Sequence, residues 1–356
     1  MKFETALAKA ERDEPLGLHD IATLLRAEGD RQQALFELAD AVRQRFMGDE
    51  IYLRGLIEFS NCCGRHCLYC GLRAPNRNVA RYRMPLDEIV ETAKLAERLG
   101  IGTVVLQSGE DTWWTTARVV ELVRQIKRTA DVAITLSIGE RPREDYRAFR
   151  RAGADRFLIR HETADPDLYG QLHPDMSYER RIQCLRDLRA EGYQVGAGSM
   201  VGLPGQTVEM LAADILLLLE MDVDMAGIGP FIPHPDTPLG SSAPGTVEMT
   251  LKMVALARIV TRNAHIPATT ALATLDPMGR EKAFAVGANV VMPNLTPKKY
   301  RENYTIYPNK RCITEDVDRC MPCLRLRIEG SGRRIGKGYG HSLKRANGDF
   351  ALGAAS

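Results

Sequence analysis

Hydrophobic residues first recur at helical spacing in the stretch 3–48, where Leu18, Ile21, Leu24 and Leu25 mark one face. From residue 51 the pattern changes to short apolar runs separated by longer amphipathic ones. The runs 51–59, 103–107, 132–137, 155–160, 194–200, 225–231, 266–271 and 288–292 read as strands. Between them, Leu86, Ile89, Val90, Ala93, Ala96 and Leu99 make one helical face, and Val208, Leu211, Ala212, Ile215, Leu218 and Leu219 another; 177–191 and 247–262 also fit helices. Strands alternating with helices must run parallel. Eight such units predict an α/β fold, a (βα)8 TIM-type barrel of about 240 residues. The expected division is a helical segment over 1–50, the barrel over 51–295 and an extension over 296–356. An open doubly wound sheet is the competing architecture, but Gly196, Gly198 and Gly202 have the wrong last spacing for a nucleotide-binding turn.

Composition narrows the class of protein. An apolar fraction of 44% with 26% charged residues is that of a globular chain, and a formal charge of +2 predicts neither a nucleic acid nor another polyanion as partner. The apolar run Ile215–Leu219 is bounded by Asp214 and Glu220, so no membrane span is expected. The first residues turn acidic at Glu4 without a signal-peptide core, which predicts a cytoplasmic protein. After Cys323 the chain is Gly-rich and basic, and reads as a solvated or loosely packed tail, with an RNA contact as the less favoured alternative.

The eight cysteines are too few for a disulfide-built scaffold, and they cluster: Cys62, Cys63, Cys67 and Cys70 together, then Cys312, Cys320 and Cys323, with Cys184 alone in a helical core pattern. Cys63-x3-Cys67-x2-Cys70 directly follows the first predicted strand. Three soft thiolates on a four-iron cluster leave one iron open to a ligand, whereas electron carriers use four. Structural zinc is the alternative, with Cys62 or His66 as fourth ligand. Cys62, adjacent to Cys63, reads as a bystander. His161 and His234 read as hydrogen-bonding residues and not as metal ligands.

This CxxxCxxC loop, with Tyr69 before the last cysteine, resembles that of the radical S-adenosylmethionine (SAM) superfamily. The resemblance implies a [4Fe-4S] cluster on Cys63, Cys67 and Cys70, chelation of SAM by the open iron, and reductive cleavage of SAM to methionine and a 5′-deoxyadenosyl radical. It assigns SAM contacts to Tyr69, to Gln107-Ser108-Gly109-Glu110, to Ser137, to Glu162, to Met200 in the Gly-rich element 198–207, and to Arg181, with Arg180 one position away as the rival. More narrowly, Leu106–Asp111, Gly229–Leu239, Ile266–Thr270, Met292-Pro293-Asn294 and Tyr304-x2-Tyr307-Pro308 are similar to the HydE family of [FeFe]-hydrogenase maturases.

That second resemblance implies a sealed barrel over an internal cavity, and a role in assembling the binuclear iron subcluster of the hydrogenase active site (the H-cluster). The implied cargo is a small organometallic substrate, a cysteine-ligated Fe(CO)2CN complex whose sulfur the radical attacks. The implied partners are other hydrogenase maturases and a low-potential reductant. An anionic cargo needs donors and positive charge in a dry cavity. Arg160, Arg156, Thr135, Thr269, Thr270, Tyr304 and Tyr307 are the candidates, with Met225 and Met292 as soft wall. Cys312, Cys320 and Cys323 resemble an auxiliary site, a possible second iron–sulfur cluster that the core reaction does not need; zinc or three free thiols are the alternatives. A methylornithine-synthase-like mutase, a biotin-synthase-like sulfur inserter and a non-enzymatic iron–sulfur scaffold compete with the maturase reading.

Overall fold

A computed structural model describes residues 2–311, 313, 315 and 317–345. Three helices lead in: α1 (Phe3–Glu11), α2 (Leu18–Leu25) and α3 (Asp30–Met47). The first barrel strand is broken at Arg54 into β1 (Glu50–Leu53) and β2 (Gly55–Ser60). Then follow α4 (Leu86–Arg98), β3 (Thr103–Ser108), α5 (Thr116–Thr129), β4 (Ala133–Ser137), α6 (Arg143–Ala152), β5 (Arg156–Leu158), α7 (Pro166–Leu172), α8 (Tyr178–Ala190), β6 (Gln194–Ala197) and β7 (Met200–Val201). The chain continues through α9 (Val208–Glu220), β8 (Met225–Ala226), β9 (Gly229–Pro230), α10 (Val247–Thr261), α11 (Thr270–Leu275), α12 (Gly279–Ala285), β10 (Val290–Val291), α13 (Lys298–Arg301), α14 (Val317–Gly330) and β11 (Arg334–Ile335).

The order β2-β3-β4-β5-β6-β8 is parallel throughout. Single parallel bridges carry the pairing on from Met225 to His265 and from Pro267 to Val290, and β10 pairs with β1. The pairing therefore returns to the first strand, as a barrel requires. The predicted strand 266–271 shrinks to those two bridges because Thr269 leaves the ladder to cap α11, its hydroxyl accepting from Leu272 N at 3.4 Å. Other helix starts are fixed in the same way, by Asp165, Ser177, Thr207 and Thr246. The buried faces of α4 (Ile89, Val90, Ala93, Ala96) and α5 (Val119, Leu122, Val123, Ile126) join one core with the strands. Cys184 lies fully buried in it. No helix among the described residues is long and apolar enough to cross a membrane.

The described part of the basic tail, up to residue 345, is packed rather than solvated. β11 pairs with β1, and the segment after it crosses the base of the barrel. There Thr103 Oγ1 donates to Tyr339 O (2.7 Å), and Ser342 N donates to Gln194 Oε1 (2.8 Å). Arg333 pairs with Asp40 at 2.6 Å and Lys344 with Asp222 at 2.6 Å, so carboxylates on the barrel and lead-in helices absorb part of the tail's charge.

Candidate active site

The loop after β2 folds over the C-terminal ends of β2 and β3. Gly109 N donates to Ser60 O (3.1 Å) and Gly64 N to Glu110 O (3.0 Å). A Cβ on Gly109 would lie 2.3 Å from Cys62 O, so only glycine allows the β3 loop to press against the cysteine loop. Cys63, Cys67 and Cys70 are half-buried neighbours, near enough for their charges to act on one another. Burial and the neighbouring charges of Cys70 and Cys63 push the Cys67 thiol well up, and burial followed by Cys63 pushes Cys70 up to about 12. Cys62 turns away, its Sγ 3.7 Å from Tyr82 O. Among the described residues, no three His, Cys, Asp or Glu side chains gather closely enough to hold a single metal ion.

Tyr69 is half-buried beside Glu162, Cys67 and Arg160, whose charges act on its hydroxyl after desolvation itself. Its Oη donates to His173 Nε2 (2.9 Å), because His173 Nδ1 faces Tyr169 O (2.9 Å) and carries the ring proton. Glu162 follows β5 in the left-handed region (φ 67°). Its N–H donates to Gly198 O and its carbonyl accepts from Met200 N, both at 3.0 Å, which fixes that strained turn. Arg160 Nη2 lies 3.0 Å from Glu162 Oε2 without being aligned for a hydrogen bond, and Arg160 Nε donates to Oε1 at 3.3 Å. Two residues expected to serve cargo and SAM separately are thus one ion pair.

Arg181 is buried, and its Nε donates to Glu140 Oε1 at 2.8 Å while Nη1 donates to Arg160 O. Its guanidinium sits 5.7 Å over the Tyr169 ring. Arg180 instead reaches Arg141 O (2.7 Å) on the rim, which favours Arg181 as the inward residue. The Glu110 carboxylate accepts from Glu140 N (3.0 Å) and from Arg65. Gly139 is required here too, since a Cβ would lie 1.9 Å from Glu110 Cγ. Ser108 Oγ donates to Gly109 O (2.7 Å), while Gln107 and Ser137 are half-buried register partners at the ends of β3 and β4. Met200 packs in a small apolar cluster with Leu168, Leu172, Leu203 and Phe231, against which Tyr69 lies.

Of the cargo candidates, Thr135 Oγ1 is buried without a hydrogen-bond partner. Tyr304 is buried beside Glu58, Cys70 and Cys63, and Tyr307 is half-buried beside Glu58 and Arg160. Thr269 approaches Gly229 at the β9 end; Thr270 and Met292 are half-buried. Two candidates do not belong. Arg156 begins β5 at the base, where it donates to Gln194 Oε1 (3.1 Å), Thr103 Oγ1 (3.0 Å), Tyr339 O (2.8 Å) and Gly340 O (3.0 Å). Met225 begins β8, and its Sδ accepts from Arg54 Nη1 at 2.6 Å. Strand starts point away from a site built at strand ends. Cys320 and Cys323 sit one turn apart on α14, half-buried and exposed; Cys312 lies outside the described residues.

Sequence reasoning missed Arg65, Glu140, His173 and the buried Glu58–Lys310 pair, which Asn294 Nδ2 completes by donating to Glu58 Oε2 (2.9 Å). A signal existed for Glu140, an acid just past a strand end; Lys310 had none. His161 Nδ1 accepts from Gly198 N (3.3 Å) and His234 Nδ1 from Asp236 N (3.1 Å), both hydrogen-bonding residues.

This architecture and loop define a radical SAM enzyme, and the family model of the radical SAM superfamily matches residues 57–218. A methylornithine synthase (PylB) crystal structure superposes with a TM-score of 0.83 at 27% identity, covering 93% of this chain and 97% of that one. The 3-methylornithine synthase of Methanosarcina acetivorans is 28% identical over 88% of each chain. The [FeFe] hydrogenase maturase subunit HydE of Thermotoga maritima is 53% identical over 86% of this chain and 88% of that protein. The chain belongs to the HydE family.

Proposed function

We propose that this protein is a hydrogenase maturase that cleaves SAM reductively at a [4Fe-4S] cluster held by Cys63, Cys67 and Cys70, and acts on a cysteine-ligated Fe(CO)2CN precursor in the barrel. The observation that carries the reading is the trio of neighbouring half-buried thiols, with Cys62 turned to Tyr82. The bound cluster would supply the electron that splits SAM into methionine and a 5′-deoxyadenosyl radical.

The chain's own residues bind and orient. Arg181, fixed by Glu140, presents a buried cation to the SAM carboxylate. Glu162 offers its carboxylate to the ribose, and the paired Arg160 then turns a donor toward an anionic cargo. Tyr304, Tyr307, Thr135, Thr269 and Thr270 add hydroxyl donors where low dielectric strengthens each contact, and Met292 adds wall. The 53% identity to the Thermotoga maritima HydE, against 28% to the methylornithine synthase, favours the maturase over the mutase.

The test is anaerobic reconstitution with iron and sulfide, then dithionite and SAM. Formation of 5′-deoxyadenosine is expected, abolished by Cys63→Ala, Cys67→Ala or Cys70→Ala and retained in Cys62→Ala. Loss in Cys62→Ala would show the ligand frame to be wrong. Replacing Arg160 should abolish hydrogenase activation while SAM still binds; unaltered activation would refute its cargo role.

A further inference from the structure

The segment that carries these thiols, 60–86, holds five arginines and no acidic residue, in a chain whose formal charge is only +2. Arg65 is neutralised by Glu110, and Arg83 by Asp111 at 2.7 Å. Arg73, Arg77 and Arg81 make no ion pair among the described residues. Arg81 is exposed, yet its guanidinium donates to the carbonyls of Asn61 (2.7 Å), Leu72 (2.9 Å), Arg73 (2.8 Å) and Asn76 (3.1 Å), so it straps the outside of the thiol loop. Arg77 is exposed and makes no hydrogen bond among the described residues. At the edge of this surface the Trp113 ring is 42% exposed, with the Arg118 guanidinium 3.8 Å and that of Arg83 5.5 Å from its centroid.

We propose that this arginine surface docks an acidic, low-potential one-electron carrier protein, with Arg73, Arg77 and Arg81 as the attracting charges and Trp113 as an apolar edge. The inference rests on the radical SAM reading, because each SAM cleavage there consumes one electron that must come from outside. The step would balance simply: the carrier would lose one electron, a cluster held by the three thiols would gain it, and no proton or group would move. Exposed charges contribute little to static affinity but speed encounter between complementary surfaces, which suits a partner that must leave after one electron. Electron-transfer complexes are correspondingly small and salt-sensitive.

The experiment uses an acidic flavodoxin as probe and the reconstituted full chain. Binding of oxidised flavodoxin should weaken with salt and fall about tenfold in Arg77→Glu, a residue that holds nothing else in place. Arg325→Glu, on the exposed face of α14, should bind as wild type. Single-turnover reduction of the cluster absorbance by flavodoxin hydroquinone should slow in parallel in Arg77→Glu, while reduction by dithionite is unchanged. Equal binding and equal flavodoxin-driven reduction in wild type and Arg77→Glu would overturn the proposal. So would single-stranded RNA binding more tightly than flavodoxin at the same salt and losing that binding in Arg77→Glu. No 5′-deoxyadenosine from wild type with dithionite would overturn the radical SAM reading itself, an outcome distinct from failure of docking.

Discussion

Replacing Arg181 with Met removes one partner of an ion pair in which both side chains are only 7% exposed. Glu140 would then rely on Arg65, whose Nη2 is 3.9 Å away. Leaving a buried charge uncompensated costs about 3–5 kcal/mol. Unfolding entropy of ~2.1 cal/mol/K per residue gives about 0.75 kcal/mol/K for 356 residues, so the melting temperature should drop by about 4–7 °C. SAM loses a charged hydrogen bond worth about 1.5–3 kcal/mol, which weakens its binding roughly 10- to 150-fold. Glu140→Gln combined with Arg181→Met discriminates between the two effects: it removes the stranded charge and should recover most of the stability, but none of the SAM affinity. Anaerobic circular-dichroism melts of the apoprotein and calorimetric SAM titration of the reconstituted protein measure the two. A single variant melting within about 1 °C of wild type would refute the buried-pair energetics. A double variant that binds SAM normally would refute Arg181 as the carboxylate anchor.

Lys310→Met should lower the melting temperature by a similar ~4–7 °C, because Glu58, 1% exposed, loses its cation, and Glu58→Gln with Lys310→Met should restore most of it; an unchanged melt of the single variant would show that the pair does not hold the extension to β2. Burial pushes the His173 pKa below its ordinary 6.5, so the unfolded chain takes up its proton first. Stability is therefore full above about pH 6.5 and falls as pH drops below it toward the folded-state value. Buried His265 and His341 share that sign, so His173→Gln should flatten only part of the decline in urea midpoint between about pH 7.5 and 5.5; an identical slope in the variant would exclude His173. Cys320→Ser with Cys323→Ser should leave dithionite-driven 5′-deoxyadenosine formation within about twofold of wild type, and a larger loss would tie α14 to the core reaction.

The thiol loop leaves its mark in the sequence because it is local: Cys63, Cys67 and Cys70 lie within one loop, so their spacing already shows that they come together. The strands were legible for a similar reason, since buried parallel strands must be apolar runs. Side-chain direction at the two barrel ends was not, and it decided Arg156 and Met225. Both lie on true strands, but at the start of them, where the tail's Tyr339 and Gly340 carbonyls and the Arg54 guanidinium claim them. The tail itself was misread because backbone carbonyls bury it, and a carbonyl has no residue identity to read. Glu140 and Arg181 lie 41 positions apart and meet only once β4 and α8 are docked. What a linear reading lacks here is therefore partnership: it can place a charged residue at the mouth of the barrel, but only the fold shows whether another residue has already taken that charge.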